Sequence, residues 1–231
     1  MNPIVRVLKL LRRKIYSMRI LIPGLKELHR IEAMVGPLGV WNVCSKYQLN
    51  CLRQLGLRPK HFLADIGCGP LQGGVAFINY LDESKYYGID KNPDNLDEAY
   101  RLVRTNDLSK KHPNLILSDT FGYKELNKEV FDFFWISQVF YYFTKKYIIE
   151  LLKMVLKHSH KDSVIYGDII GPEHYENKTH EHGWILHTID SLDEICRPMG
   201  FTVQSCGRIA DYGYPKRLAL AQNILVKISY K

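Results

Sequence analysis

The strongest constraint on the fold is a repeated alternation of short apolar segments with longer amphipathic ones. The sequence predicts five strands in its central part, at 61–67, 86–90, 115–118, 131–137 and 163–169. Helical patterns separate them, at 73–81, 96–104, 123–126 and 145–156. Strands that alternate with helices form right-handed βαβ units, which build a parallel sheet.

Both ends of the chain extend this pattern. A helical pattern at 41–55 precedes the first strand and ends at Gly56, which suits the position after a helix. A helix near 192–198 and strands at 201–206 and 221–229 close the chain, and two such strands can pair antiparallel. The expected fold is α/β: a doubly wound Rossmann-like sheet of seven strands, mostly parallel with an antiparallel C-terminal hairpin and helices on both faces.

Nearly all of the net charge lies at the front of the chain. The total is +8, and residues 1–30 hold eight basic residues against one acidic residue, which gives +7. Apolar residues recur there every three or four positions, so we predict a basic amphipathic helix over 1–24 and one domain over 25–231. The helix can lie on an anionic membrane surface, or pack on its own domain or on a second subunit of a homodimer. These alternatives stay open.

The remaining sequence is close to neutral, which argues against nucleic acid as a partner. Five cysteines without C-x-x-C spacing indicate reduced, structural thiols, and charges at 9–14 interrupt any secretory signal. We therefore expect a cytoplasmic protein, peripheral on the inner membrane face if the basic helix binds lipid.

A glycine turn follows the first predicted strand. Gly67 and Gly69 allow a sharp turn there, and Gly73 and Gly74 allow the next helix to begin close to the sheet. In a doubly wound sheet, ligands bind beyond the carboxyl ends of the strands, where the strand order reverses. This turn is therefore the predicted ligand site.

The spacing of the glycines and one carboxylate narrow the class of ligand. The dinucleotide fingerprint needs a glycine five residues after Gly67, where this chain has Gln72, so nicotinamide binding is disfavoured. Asp90 ends the second predicted strand, where a carboxylate can accept hydrogen bonds from ribose hydroxyls. A nucleoside-like ligand is indicated.

These residues resemble motifs of a known family. Asp65-Ile66-Gly67-Cys68-Gly69 resembles motif I of the class I S-adenosylmethionine (SAM)-dependent methyltransferases, and Tyr87-Gly88-Ile89-Asp90 resembles motif II. Residues 117–120 and 131–140 resemble the third and fourth motifs, and the resemblance runs from about residue 41 to the C-terminus. Leu71 departs from it, because many members have a third glycine there.

The resemblance implies SAM as the cofactor and a set of residues around it. Asp119 would face the adenine amine, and the fourth motif would border the methionine end and the acceptor. The implied cofactor-binding residues are Asp65, Gly67, Cys68, Gly69, Asp90, Lys91, Asp119, Thr120 and Ser137.

Two further segments resemble bacterial small-molecule methyltransferases associated with glycan assembly, residues 35–41 and 70–74, with Tyr214-Pro215 near the last strand. That resemblance implies a small-molecule acceptor such as a sugar hydroxyl. Two alternatives stay open. One is an RNA or protein methyltransferase that uses the basic arm, and the other is a non-catalytic binding subunit.

A hydroxyl acceptor benefits from a general base, and histidine is matched to neutral pH. The segment between the fifth and sixth predicted strands is rich in histidine, and we predict His182 or His187 as the base. His180, Glu181 and His182 could instead supply metal ligands, but they lack a partner pair at a usual spacing, so we expect no metal.

Overall fold

The computed structural model describes residues 30–36, 38–127, 129–172 and 183–231. The chain divides into two compact units, residues 1–42 and residues 43–231. In the first, residues 30–35 are helical, and the buried Glu32 carboxylate accepts hydrogen bonds from the amides of Gly39 and Trp41. The predicted helix over 1–24 and its boundary with the following domain lie outside the described residues.

Seven strands form one sheet in the described part of the chain. They are β1 (Leu63–Ile66), β2 (Tyr86–Asp90), β3 (Asn114–Leu117), β4 (Phe131–Ile136), β5 (Ser159–Ile169), β6 (Phe201–Arg208) and β7 (Ile224–Tyr230). Their order is β3-β2-β1-β4-β5-β7-β6. Strands β1 to β5 pair in parallel, and β7 lies antiparallel between β5 and β6. The predicted fold class is confirmed.

The helices connect the strands as the βαβ pattern requires. They are α1 (Trp41–Gln54), α2 (Gly74–Tyr80), α3 (Pro93–Thr105), α4 (Lys145–Lys157) and α5 (Ile189–Cys196). Side-chain caps fix three of their starts: Asn92 accepts from the amide of Asp94, Thr144 caps α4, and Thr188 caps α5 in a capping box.

Alternate strand residues bury opposite faces of the sheet. On one face, side chains such as Ile66, Ile89 and Phe134 share an apolar core with α4 and α5. On the other face, the indole Nε1 of Trp135 donates to Gln48 Oε1 on α1 at 2.9 Å, and both side chains are buried. The sheet is therefore enclosed by helices near the middle of its strands.

Three details differ from the sequence-based expectations. Residues 121–125 form turns rather than the short helix predicted near 123–126, because Gly122 takes a left-handed φ of 84° and only one helical turn closes. Strand β5 begins at residue 159 rather than at the predicted residue 163. The last strand begins at 224, because residues 219–222 form a 3-10 turn.

The five cysteines have free thiols; four are buried, and Cys206 is half-buried. Within the described residues, no helix is both long and apolar enough to cross a membrane.

Candidate active site

The strand order reverses at β1. From this strand the chain continues to β2 and β3 on one side, and β4 pairs with β1 on the other. Parallel strands point their carboxyl ends to one edge, so the loops after β1, β2, β3 and β4 meet around this reversal. A crevice at such a point is where doubly wound sheets bind ligands.

The loop after β1 turns sharply through left-handed backbone. Gly67 and Gly69 have φ of 73° and 54°, and the amides of Gly67 and Cys68 both donate to the Ile89 carbonyl, at 2.8 and 3.2 Å. Leu71 also has a positive φ, 67°, and its side chain is buried. The position where many resembling proteins have a third glycine therefore keeps a glycine-like conformation in this chain, with leucine held there by packing.

Close packing is a further reason for glycine at three positions of this region. A Cβ on Gly67 would lie 2.8 Å from Val139 Cγ2, which follows β4. A Cβ on Gly73 would lie 2.3 Å from Gln48 Oε1, and one on Gly74 would lie 2.5 Å from the Tyr86 hydroxyl. Helix α2 thus begins close to the sheet, as the sequence predicts.

Asp90 fastens the β1 loop to the end of β2. Its Oδ2 accepts from the amide of Gly69 at 2.8 Å, and its Oδ1 accepts from the amide of Asn92 at 2.8 Å and from Asn95 Nδ2 at 3.3 Å. A carboxylate offers about four acceptor positions, so one remains, and the long Asn95 contact is the most easily exchanged.

Asp65 is a buried carboxyl beneath the same loop. Its Oδ2 accepts from the Tyr86 hydroxyl at 2.7 Å. Burial raises the pKa of Asp65 to about 7, the Tyr86 hydrogen bond lowers it, and the nearby charge of Asp90 adds to the rise. Asp65 thus holds the Tyr86 hydroxyl, which packs against Gly74 at the start of α2.

The loop after β3 is built around Ser118. The buried Ser118 hydroxyl accepts from the amides of Thr120 and Gly122 and donates to Glu125, while its own amide donates to the Asp90 carbonyl at 2.9 Å. This holds the half-buried Thr120 and the exposed Asp119 beside the end of β2.

The remaining predicted cofactor residues follow neighbouring strands at the same edge. Lys91 is exposed directly after β2, and Ser137 is half-buried directly after β4. Cys68 is buried, and its thiol donates to the Gly69 carbonyl at 3.6 Å. The structure therefore brings the predicted cofactor residues to one edge of the sheet, around the reversal point.

The two predicted base candidates are placed differently. His182 lies outside the described residues, as do His180 and Glu181. His187 is buried, and its Nε2 contacts the Phe143 carbonyl at 2.8 Å. Because a carbonyl only accepts, that nitrogen carries the proton in this bond. The role of either histidine as a base stays a prediction.

Sequence reasoning missed a further buried carboxylate at this edge. Asp168 near the end of β5 is fully buried; Oδ1 accepts from the amide of Gln138 at 2.6 Å and Oδ2 accepts from Asn223 Nδ2 at 2.7 Å. Burial raises the pKa of Asp168 to about 6, while the hydrogen bonds from Asn223 and Gln138 lower it. The signal that marked Asp90, a carboxylate at the end of a predicted strand, could have found Asp168, which stands one residue before the end of the predicted strand 163–169.

Comparisons with known proteins find a similar fold among methyltransferases of known structure. No protein-family model matches the chain, and no curated protein matches its sequence. The chain is similar in structure to magnesium protoporphyrin IX methyltransferase (ChlM) from Synechocystis PCC 6803 with bound SAH, the demethylated cofactor. The TM-score is 0.62 at 12% identity, over 95% of this chain and 99% of that one.

Two further solved structures share the architecture. The mitomycin 7-O-methyltransferase MmcR has a TM-score of 0.61 at 15% identity, over 94% of this chain and 60% of that one. The glycopeptide N-methyltransferase MtfA has a TM-score of 0.60 at 13% identity, over 82% of this chain and 90% of that one. The chain therefore has the seven-stranded fold of the class I SAM-dependent methyltransferases.

Proposed function

We propose that this protein is an enzyme that transfers a methyl group from SAM to a small-molecule acceptor. The observation that carries the proposal is the link between the glycine turn and Asp90: the carboxylate that ends β2 holds the Gly69 amide at the point where the strand order reverses. Similar folds with bound SAM or SAH support the choice of cofactor.

The residues present fit the cofactor. Asp90 would bind the ribose, with a hydroxyl taking its remaining acceptor position and another replacing Asn95. Gly67 and Gly69 would let the methionine part approach the backbone, above Asp65. Asp119 would accept from the adenine amine. When bound, SAM supplies an activated methyl group, and Lys91, Cys68, Thr120 and Ser137 would line the same edge.

A sugar or glycan-precursor hydroxyl is the acceptor that we favour. The resemblance of residues 35–41 and 70–74 to glycan-associated methyltransferases supports this choice. The proteins of similar fold act on diverse small molecules. By their names, MmcR is an O-methyltransferase and MtfA is an N-methyltransferase. His187 and His182 remain the proposed bases.

Calorimetric titration tests the cofactor. The wild type should bind SAM and SAH but not NAD. Asp90→Asn should weaken SAH binding by about tenfold or more, because in either orientation the new NH2 group would face a backbone amide, of Gly69 or of Asn92, donor to donor. Asp94→Asn, an exposed carboxyl four residues on, is the matched control and should leave the affinity unchanged.

The outcomes separate the alternatives. A wild type that binds neither SAM nor SAH contradicts the proposal and favours a non-catalytic subunit. Methyl transfer to RNA or protein that weakens steeply with salt, and that disappears when residues 1–24 are removed, would favour the macromolecular alternative.

A further inference from the structure

A second group of buried polar side chains lies beside the proposed cofactor site. It comprises Asp168 of β5, Asn223 before β7 and Tyr47 of α1, and we call it the polar layer. Residues Ile169 and Ile224 pair directly in the sheet, so Asp168 and Asn223 lie at the carboxyl edge, next to the end of β4. The exposed fractions of these three side chains are 0, 0 and 2%.

The hydrogen bonds fix the orientation of the Asn223 amide. Because an ionised carboxylate can only accept, Asn223 must turn its nitrogen toward Asp168, which points its oxygen away. That Oδ1 atom is buried and has no hydrogen-bond partner among the described residues. A buried acceptor without a partner is costly, and a bound ligand that donates a hydrogen bond to this atom would remove that cost.

Tyr47 adds a second such atom. Its hydroxyl is buried without a hydrogen-bond partner in the described part of the chain. The Cys51 thiol, one helical turn on, lies near this hydroxyl but is a weak acceptor. Burial, the Cys51 thiol and the charge of Asp168 raise the pKa of Tyr47, so the phenol stays protonated. The Tyr214 ring packs edge-on against Tyr47, with centroids 5.2 Å apart.

The charge of the polar layer selects the chemistry of a ligand. Asp168 belongs to none of the ion pairs among the described residues. Asp168 and the Asn223 oxygen are both acceptors, so the layer favours a group that donates hydrogen bonds and disfavours an anionic one. Tyr141 and Trp184, with ring centroids 5.1 Å apart, provide aromatic surface nearby.

We propose that the polar layer binds the acceptor of the methyl group through a hydroxyl or amine, with Asp168 as a positioning residue that orients Asn223 and Gln138. Gln138 follows β4 with a left-handed φ of 59°, and its amide is held by Asp168. This inference rests on the proposed methyltransferase function, and it adds the acceptor side of the site.

Two variants test the inference without removing much volume. In Asp168→Asn the new amide would donate to Asn223, which would turn over and present nitrogen where it now presents oxygen. Tyr47→Phe removes only the hydroxyl. Asp132→Asn is the matched control, because Asp132 accepts from the Phe62 amide at the opposite edge of the sheet.

The measurements are SAH affinity by calorimetry, thermal midpoint, and transfer of labelled methyl from SAM into a metabolite extract of cells that carry the gene. We expect Asp168→Asn and Tyr47→Phe to keep SAH affinity within about twofold and to keep or raise the midpoint. Transfer should fall about tenfold or more. The control should transfer like the wild type, because its carboxylate lies far from the polar layer.

Wild-type transfer rates in both variants would overturn the inference, as would a loss of SAH affinity that parallels the loss of transfer. A wild type that binds SAH but transfers no label to the extract also contradicts it. A wild type that does not bind SAH contradicts the proposed function instead.

Discussion

Asp65 shows how a single residue ties the proposed site to stability. Its pKa rises from 3.8 to about 7, so between these values the folded protein keeps a proton that the unfolded chain has lost. Stability therefore falls as the pH rises through this window, and the loss is complete above pH 7. The contribution of Asp65 to the free energy of unfolding should therefore be more favourable at low pH.

Asp65→Asn should remove that dependence, because asparagine stays neutral and can still accept from Tyr86. We expect the variant to exceed the wild type in free energy of unfolding above pH 7, by on the order of 4 kcal/mol. The difference should shrink toward pH 4. Urea unfolding at several pH values measures it, with the exposed Asp97→Asn as control. A difference that is constant with pH would contradict this role of Asp65.

Gly67 combines a left-handed backbone with a tight contact to Val139, so both can be tested by substitution. Gly67→Ala would force a Cβ to within 2.8 Å of Val139 Cγ2 at a φ of 73°. We expect the thermal midpoint and the SAH affinity both to fall. Adding Val139→Ala should recover part of the loss by relieving the contact, while a strain of about 1 kcal/mol from the left-handed backbone remains. A double variant no better than Gly67→Ala would show that the contact is unimportant.

The sequence revealed the residues that follow a pattern and missed those that depend on three-dimensional packing. Gly67, Gly69 and Asp90 were recognisable because turns need glycine and because strand ends position carboxylates. Tyr47 and Asn223 carry no such signal. Their significance is a missing hydrogen bond, which only the folded chain reveals.

At the scale of the element, helix α1 is tied to β4 by the buried hydrogen bond from Trp135 to Gln48. Gln48→Met keeps the volume but leaves the indole N–H without a partner. We expect a loss of about 1–3 kcal/mol in the free energy of unfolding, measured by urea denaturation. The exposed Gln54→Met on the same helix is the control. An unchanged free energy of unfolding in Gln48→Met would contradict this role of the bond.

Strands and helices were predictable to the extent that burial decides them. The central strands are short apolar runs enclosed on both faces, so β1, β2 and β4 appear at the predicted places. The start of β5 is polar and exposed at residues 160–162, and its strand conformation depends on neighbours distant in sequence. The helix predicted near 123–126 does not form, because only one helical turn closes there, from the Gly122 carbonyl to the Leu126 amide.

At the scale of the whole molecule, ligand binding should couple to unfolding. A cofactor that binds only the folded chain stabilises it by about 2.7 kcal/mol when present at 100 times its dissociation constant. We expect saturating SAH to raise the thermal midpoint of the wild type by several degrees, and NAD to leave it unchanged. Equal shifts with both ligands would contradict a site selective for SAM.

The uneven distribution of charge along the sequence leads to a prediction about binding to anionic membranes. Because residues 1–30 hold +7 of the total +8, a chain lacking residues 1–24 should lose any retention on anionic vesicles in a flotation assay. Failure of the full chain to float with these vesicles would leave packing on the domain or on a second subunit as the role of the basic helix.

The most direct test of the proposed cofactor site is a titration of the labelled protein with SAH, followed through backbone amide NMR signals. The largest shifts should fall on the loops after β1, β2 and β3, at Gly67, Gly69 and Asp119, with little change at Asp132 on the opposite edge. Absence of shifts at saturating SAH, or shifts centred away from these loops, would contradict the proposed site.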